Sequence, residues 1–179
     1  LPEAPREGGD TLLLYIHGLC MAETGWNDGL HQQATEQLAE RLNARVAYVR
    51  YNSGLHISEN GEALAELLER ETTADSRIVI IGHSMGGLLT RSACHYGANS
   101  TWLPKLSHVV TLGTPHNGAP AERLGSFANS LLLHSPYTKP LSRLGGLRSA
   151  AIRDLRYGNL LHSDWQRLDD PEQADDLRT

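Results

Sequence analysis

Four short runs rich in aliphatic and β-branched residues recur along the chain, and each of the first three is followed by a stretch with helical spacing. Thr11 to His17 (TLLLYIH) is nearly continuous in apolar residues, as a strand buried on both faces is. Arg45 to Tyr51 (RVAYVRY) and Arg77 to Gly82 (RIVIIG) are the second and third runs, and Ser107 to Leu112 (SHVVTL) is the fourth. Between them, Ala34, Leu38, Ala39 and Leu42 predict a helix over Leu30 to Asn43. Ala63, Leu64, Leu67 and Leu68 mark a second amphipathic helix, with Ser58 or Asn60 as its cap. Leu88, Leu89, Ser92, Ala93 and Tyr96 carry a third helix onward from Met85. Strand and helix in regular alternation predict an α/β chain, a mostly parallel sheet with crossover helices.

The pattern changes after Pro115. Residues 118–170 hold Gly, Ser, Pro and short apolar runs such as Leu131 to Leu133, but no convincing strand. The expected organisation is a connector over residues 1–10, a core over 11–117, and a cap-like region of helices and loops with an acidic tail over 118–179. The cap-like part is expected over the sheet edge, where Phe127 and Leu131 to Leu133 suit an acyl chain or an ordinary helix core.

The 179 residues suffice for one domain with a substantial core. Sixteen basic and 21 acidic residues leave a formal charge of -5, which gives no reason to expect nucleic acid as a partner. No run approaches the ~20 apolar residues of a membrane span. No signal peptide is visible, although the chain opens on Leu1 rather than Met. Cys20 and Cys94 stand in no metal-ligand spacing and read as two free, fairly buried thiols, with a disulfide as the alternative. Free thiols suit a reducing compartment, so the cytoplasm is the expected location. The nine histidines are scattered, and no glycine pattern cradles a phosphate, so neither a metal nor a cofactor is expected.

The third run ends in Gly82-His83-Ser84-Met85-Gly86-Gly87. Gly-x-Ser-x-Gly is a weak signal alone and a specific one when a buried strand precedes it and a helix follows. A serine on a sharp strand-to-helix turn is lifted clear of the sheet, and glycines two before and two after let neighbouring backbone approach. Such a serine is a nucleophile candidate, with unpaired helix N–H groups behind it. Acyl transfer also needs two donors for a developing oxyanion. The backbone N–H of Met85 is the expected first donor, and that of Leu19, after the turn His17-Gly18, the expected second, the alternative being that His17-Gly18 merely terminates its strand.

His17-Gly18, the Gly82 to Gly87 segment and Leu112-Gly113-Thr114-Pro115-His116-Asn117-Gly118 together resemble the lipase/esterase branch of the α/β-hydrolases. The match is best to the bacterial lipase and PGAP1-like esterase group, over about residues 11–120. The resemblance implies the α/β-hydrolase fold, a small-molecule or lipid ester substrate, and an oxyanion hole at Leu19 and Met85. It also implies that His116 and His83 shape or line the site rather than act as the general base.

The chain departs from that pattern after Ser84. A serine nucleophile needs a base and an orienting acid, in the chain order Ser, acid, His. The acids between Ser84 and the last histidine are Glu122 and Asp154, and the histidines after Glu122 are His134 and His162. None stands at the end of a visible strand. Asp154, in a helix-like stretch, is expected to pair with Arg153 or Arg156. The expectation is therefore an incomplete fold, with the acid and base beyond Thr179. Three functions follow: a serine carboxylic-ester hydrolase, an acyltransferase or thioesterase using the same serine, and a non-catalytic binding module.

Overall fold

The computed structural model describes residues 11–19, 21, 26, 29–118 and 149–166. Strands β1 (Thr11–Ile16), β2 (Ala44–Val49), β3 (Arg77–His83) and β4 (Leu106–Leu112) form one sheet. All pairings are parallel, and the order is β2-β1-β3-β4. Helices α1 (Gly29–Leu42), α2 (Ile57–Glu71) and α3 (Met85–Tyr96) are the crossovers, close to the spans expected. Asn43, in the left-handed region at φ 47°, ends α1 one residue before β2 begins.

Side chains alternate across the sheet and divide the core in two. Leu12, Leu14, Ile16, Ile78 and Ile80 face Leu64 and Leu68 of α2 and Leu89 and Ala93 of α3. Leu13, Tyr15, Val79 and Ile81 face the other way, against Trp26 and α1 residues Leu38 and Leu42. Each side chain of the size of Leu13, Ile16 or Ile80, fully buried here, contributes about 1.5–3 kcal/mol. This is why β1 lacks the polar alternation of a half-exposed strand.

The strand order dictates where a ligand can enter. The chain steps from β1 outward to β2, then returns across β1 to β3 and β4. Right-handed crossovers put helices of opposite steps on opposite faces, as α1 and α2/α3 are. The switch lies between β1 and β3, and the crevice at their carboxyl ends is where such sheets bind ligands. His17 to Leu19 leave β1 there, and Ser84 leaves β3.

Two further helices, α4 (Ala150–Tyr157) and α5 (His162–Gln166), follow. They lie against α2, α3 and the β1/β3 end rather than over the β4 edge. Val109, Val110 and Leu112 of β4 stay exposed. The cap of α2 also differs from expectation, because Ser58 and Asn60 lie inside its first turn. The His56 N–H donates to the Glu59 carboxylate at 3.0 Å, and the Ile57 N–H donates to Asp154 at 2.8 Å. A carboxylate from far downstream thus supplies the negative charge that favours a helix start. Among the described residues, no helix is long and apolar enough to cross a membrane.

Candidate active site

Ser84 sits between the last residue of β3 and the first of α3, at φ 52° and ψ −120°. A non-glycine residue there is strained, and surrounding structure must hold it. Its own N–H donates to the Leu112 carbonyl at 2.8 Å. Its carbonyl accepts the Thr114 hydroxyl at 2.9 Å and the Gly87 N–H at 3.1 Å. The β4 end and the Gly113-Thr114 turn thus clamp both faces of this one residue. Glycine is required at position 86, because a Cβ there would overlap the carbonyl oxygens of Ile16 and His17.

The turn after β1 lies against the serine. A Cβ on Gly18 would come within 3.0 Å of Ser84 Cβ and 3.2 Å of His83 Nδ1. Leu19 and Met85, the two residues expected to offer N–H groups, are both buried and share a cluster with Ile57, Leu88, Ala151 and Leu155. The strand end, the elbow and α4 therefore meet at one place. His17 is buried beneath this turn and stacks on Tyr51 with ring centroids 4.3 Å apart. The Tyr51 hydroxyl donates to the His17 carbonyl at 2.6 Å, and burial pushes its phenol well above the ordinary tyrosine range.

The two histidines expected to line or shape the site differ in setting. His83 is half-buried, and desolvation holds its imidazole below the ordinary value, so it favours the neutral form. His116 is exposed, with Arg91 Nη1 at 3.4 Å from its Nδ1 and Thr111 Oγ1 at 3.3 Å from its Nε2. Neither is hydrogen-bonded to Ser84 Oγ. Among the described residues, no side chain hydrogen-bonds the Ser84 hydroxyl.

Of the acids and histidines considered for a triad, Asp154 and His162 lie among the described residues, and these two are not brought together. Asp154 does not pair with Arg153 or Arg156; it is fully buried and faces His56, with Nδ1 at 3.1 Å from Oδ2. Its oxygens also accept from the Ile57 N–H and from Asn159 Nδ2, at 2.8 and 3.2 Å. Burial explains the choice: α4 turns this position inward, toward His56 and the Ile57 N–H at the start of α2 and toward Asn159 beyond its own end, while Arg153 and Arg156 stand on its exposed side. His162 instead meets Ser58 Oγ through Nδ1 and Glu62 through Nε2, both at 3.2 Å. Trp165 closes the group, stacked on His56 at 3.9 Å and donating to Ser58 Oγ at 2.9 Å. Glu122, His134, Phe127, Leu131 to Leu133 and Cys20 lie outside the described residues; Cys94 carries a free thiol whose pKa burial raises.

Of three residues that hold the site together, sequence reasoning placed Thr114 in a motif without its bond to Ser84 and missed Tyr51 and His56. Thr114 had a signal, since it follows a strand in Gly-Thr-Pro. Tyr51 had a weaker one, as the polar end of an apolar run. His56 had none, because its partner lies 98 residues away.

Solved structures share this arrangement of strands and helices. The mature lipase BlEst2 of Bacillus licheniformis matches at 24% identity and a TM-score of 0.58, over 96% of this chain and 64% of that one. The chain therefore spans less than two thirds of that lipase. The type II thioesterase YbtT of the yersiniabactin NRPS/PKS pathway matches at 21% identity and a TM-score of 0.58, over 86% of this chain and 67% of that one. RedJ, a thioesterase of the prodiginine pathway in Streptomyces coelicolor, matches at 19% identity and a TM-score of 0.54, over 88% and 70%. No curated protein matches in sequence. These likenesses establish the α/β-hydrolase fold. The model of the PGAP1-like alpha/beta domain family aligns with residues 9–171, a span that contains every described residue, and the chain belongs to that family.

Proposed function

We propose that the chain is a serine hydrolase of carboxylic esters, with Ser84 as nucleophile and the backbone N–H groups of Leu19 and Met85 as the oxyanion hole. The observation that carries this reading is the conformation of Ser84. A strained φ of 52° is held by bonds to Leu112 and Thr114 at the crevice of the sheet. Strain of this kind is kept where a side chain must be presented in one direction.

In this reading Ser84 Oγ adds to the ester carbonyl and gives its proton to a general base. The C–O bond to the alcohol breaks as the base returns that proton to the leaving oxygen, and an acyl-enzyme remains. Water then repeats the sequence and releases the acid. The negative oxygen of each tetrahedral intermediate lies toward the Leu19 and Met85 amides. The base and its orienting acid are residues outside the described set.

Likeness to a lipase supports an ester substrate, and likeness to two thioesterases supports a second reading in which the acyl donor is a thioester. The test is hydrolysis of matched oxygen esters and thioesters by the full-length protein and its Ser84→Ala variant. Hydrolysis of either class that disappears in the variant supports the serine mechanism, and the preferred class chooses between the readings. Activity that survives Ser84→Ala rejects both. Absence of turnover, including transfer to added alcohol or thiol, leaves the binding-module reading standing.

A further inference from the structure

A peptide N–H and the carbonyl of the residue before it belong to one planar resonance unit. A donor on that carbonyl draws electron density to the oxygen and leaves the N–H a stronger donor, besides fixing the plane in which it points. The Met85 N–H shares its peptide with the Ser84 carbonyl, which accepts the Thr114 hydroxyl at 2.9 Å. The Leu19 N–H shares its peptide with the Gly18 carbonyl, which lies 2.9 Å from His17 Nδ1. A carbonyl only accepts, so His17 Nδ1 carries the proton of that bond. Both amides of the oxyanion hole thus have a side-chain donor at their other end.

The two donors are built in rather than incidental. Thr114 packs against Gly87, where any Cβ would strike its hydroxyl. His17 is 1% exposed. Its ring is stacked on Tyr51, and its own carbonyl is held by the Tyr51 hydroxyl. Neither side chain is free to swing toward a substrate.

We propose that Thr114 and His17 are positioning residues of the oxyanion site, each acting through the carbonyl of a peptide whose N–H faces the oxyanion. The proposal rests on Ser84 being the nucleophile and on Leu19 and Met85 being the donors. An oxyanion donor is worth about 10²–10³-fold in rate. Strengthening by about 10–30% per bond in a chain of hydrogen bonds then corresponds to about two- to eightfold.

The test uses the full-length protein. The second-order rate of phosphonylation by a fluorophosphonate is measured for wild type, Thr114→Val and Thr114→Ser, with melting curves alongside. The amide ¹⁵N shifts of Met85 and Leu19 are recorded in the same samples. Thr114→Val should label about two- to eightfold more slowly and lose kcat on an ester substrate with KM unchanged. Its Met85 ¹⁵N resonance should move while that of Leu19 stays. Thr114→Ser keeps the hydroxyl and should restore the rate and the Met85 shift. His17→Phe should move the Leu19 resonance instead. Thr114→Ala repeats the test should Thr114→Val not fold. Wild-type labelling by Thr114→Val, or a Thr114→Ser protein as slow as Thr114→Val, overturns the proposal. Labelling that survives Ser84→Ala, or a wild type that never labels, overturns the nucleophile assignment and this proposal with it.

Discussion

Asp154→Ala separates a structural carboxylate from a catalytic one. The side chain is fully buried, and three donors converge on it: the Ile57 N–H at 2.8 Å, His56 Nδ1 at 3.1 Å and Asn159 Nδ2 at 3.2 Å. Alanine leaves all three without an acceptor in a site closed to water. Removing one partner from a buried charged cluster costs about 3–5 kcal/mol. In a chain of this size each kcal/mol moves the melting temperature by about 2–4 °C, so the variant should melt about 6–20 °C lower. Asp154→Asn keeps one acceptor and should cost about 1–3 kcal/mol. Urea unfolding monitored by circular dichroism reads both values. The chemistry should respond differently. Replacing the orienting acid of a serine triad by its amide lowers kcat about 10⁴-fold. Asp154 holds α4 on the start of α2, so folded Asp154→Asn should label with a fluorophosphonate at a rate far closer to wild type than that. A stable Asp154→Asn protein with a loss of about 10⁴-fold would refute the structural assignment. A wild-type melting temperature in Asp154→Ala would refute the energetic one.

Gly61→Ala tests the contact between α2 and α3. The new Cβ would lie 2.5 Å from Ser92 Cβ and 3.1 Å from the Ala93 nitrogen. It would also displace the Ser92 hydroxyl that donates to the Leu160 carbonyl at 2.7 Å. Overpacking of this kind costs about 1–3 kcal/mol, measurable by thermal melting; an unchanged melting temperature would contradict the packing described. His83 carries the pH prediction. Its Nδ1 is buried without a hydrogen-bond partner, and burial lowers its pKa from 6.5. The unfolded chain then binds that proton more readily than the folded one, so the contribution of His83 is complete above pH 6.5 and is lost as pH falls below it. The ring should titrate below 6.5 by NMR, and His83→Gln should flatten the acid limb of the stability curve. A midpoint above 6.5 would reverse the sign.

The layers of the fold were legible because each rests on local chemistry. The apolar run Thr11 to His17 reads as buried on both faces since both faces are in fact covered, by α1 on one side and α2 with α3 on the other. The elbow was legible for a stronger reason. A serine at φ 52° with a backbone carbonyl pressed on its second neighbour tolerates few residues, so the requirement is written into the pentapeptide. What stayed hidden depends on distant pairs. Asp154 beside two arginines looks like half of a surface ion pair, and only the packing of α4 turns it inward to His56. The cap of α2 was misplaced for the same reason, since its acceptor comes from another helix. The run SHVVTL announced β4, but not that Val109 and Val110 would remain exposed on an outer strand. Thr114 was visible as part of a motif, while its bond to the Ser84 carbonyl depends on how the β4 turn meets the elbow.

Mass mapping of a fluorophosphonate adduct on the full-length protein tests the central claim most directly. The serine assignment predicts a single adduct on the tryptic peptide that contains Ser84, and its loss in Ser84→Ala at unchanged melting temperature. An adduct on any other residue, or a folded wild-type protein that acquires none, would contradict it.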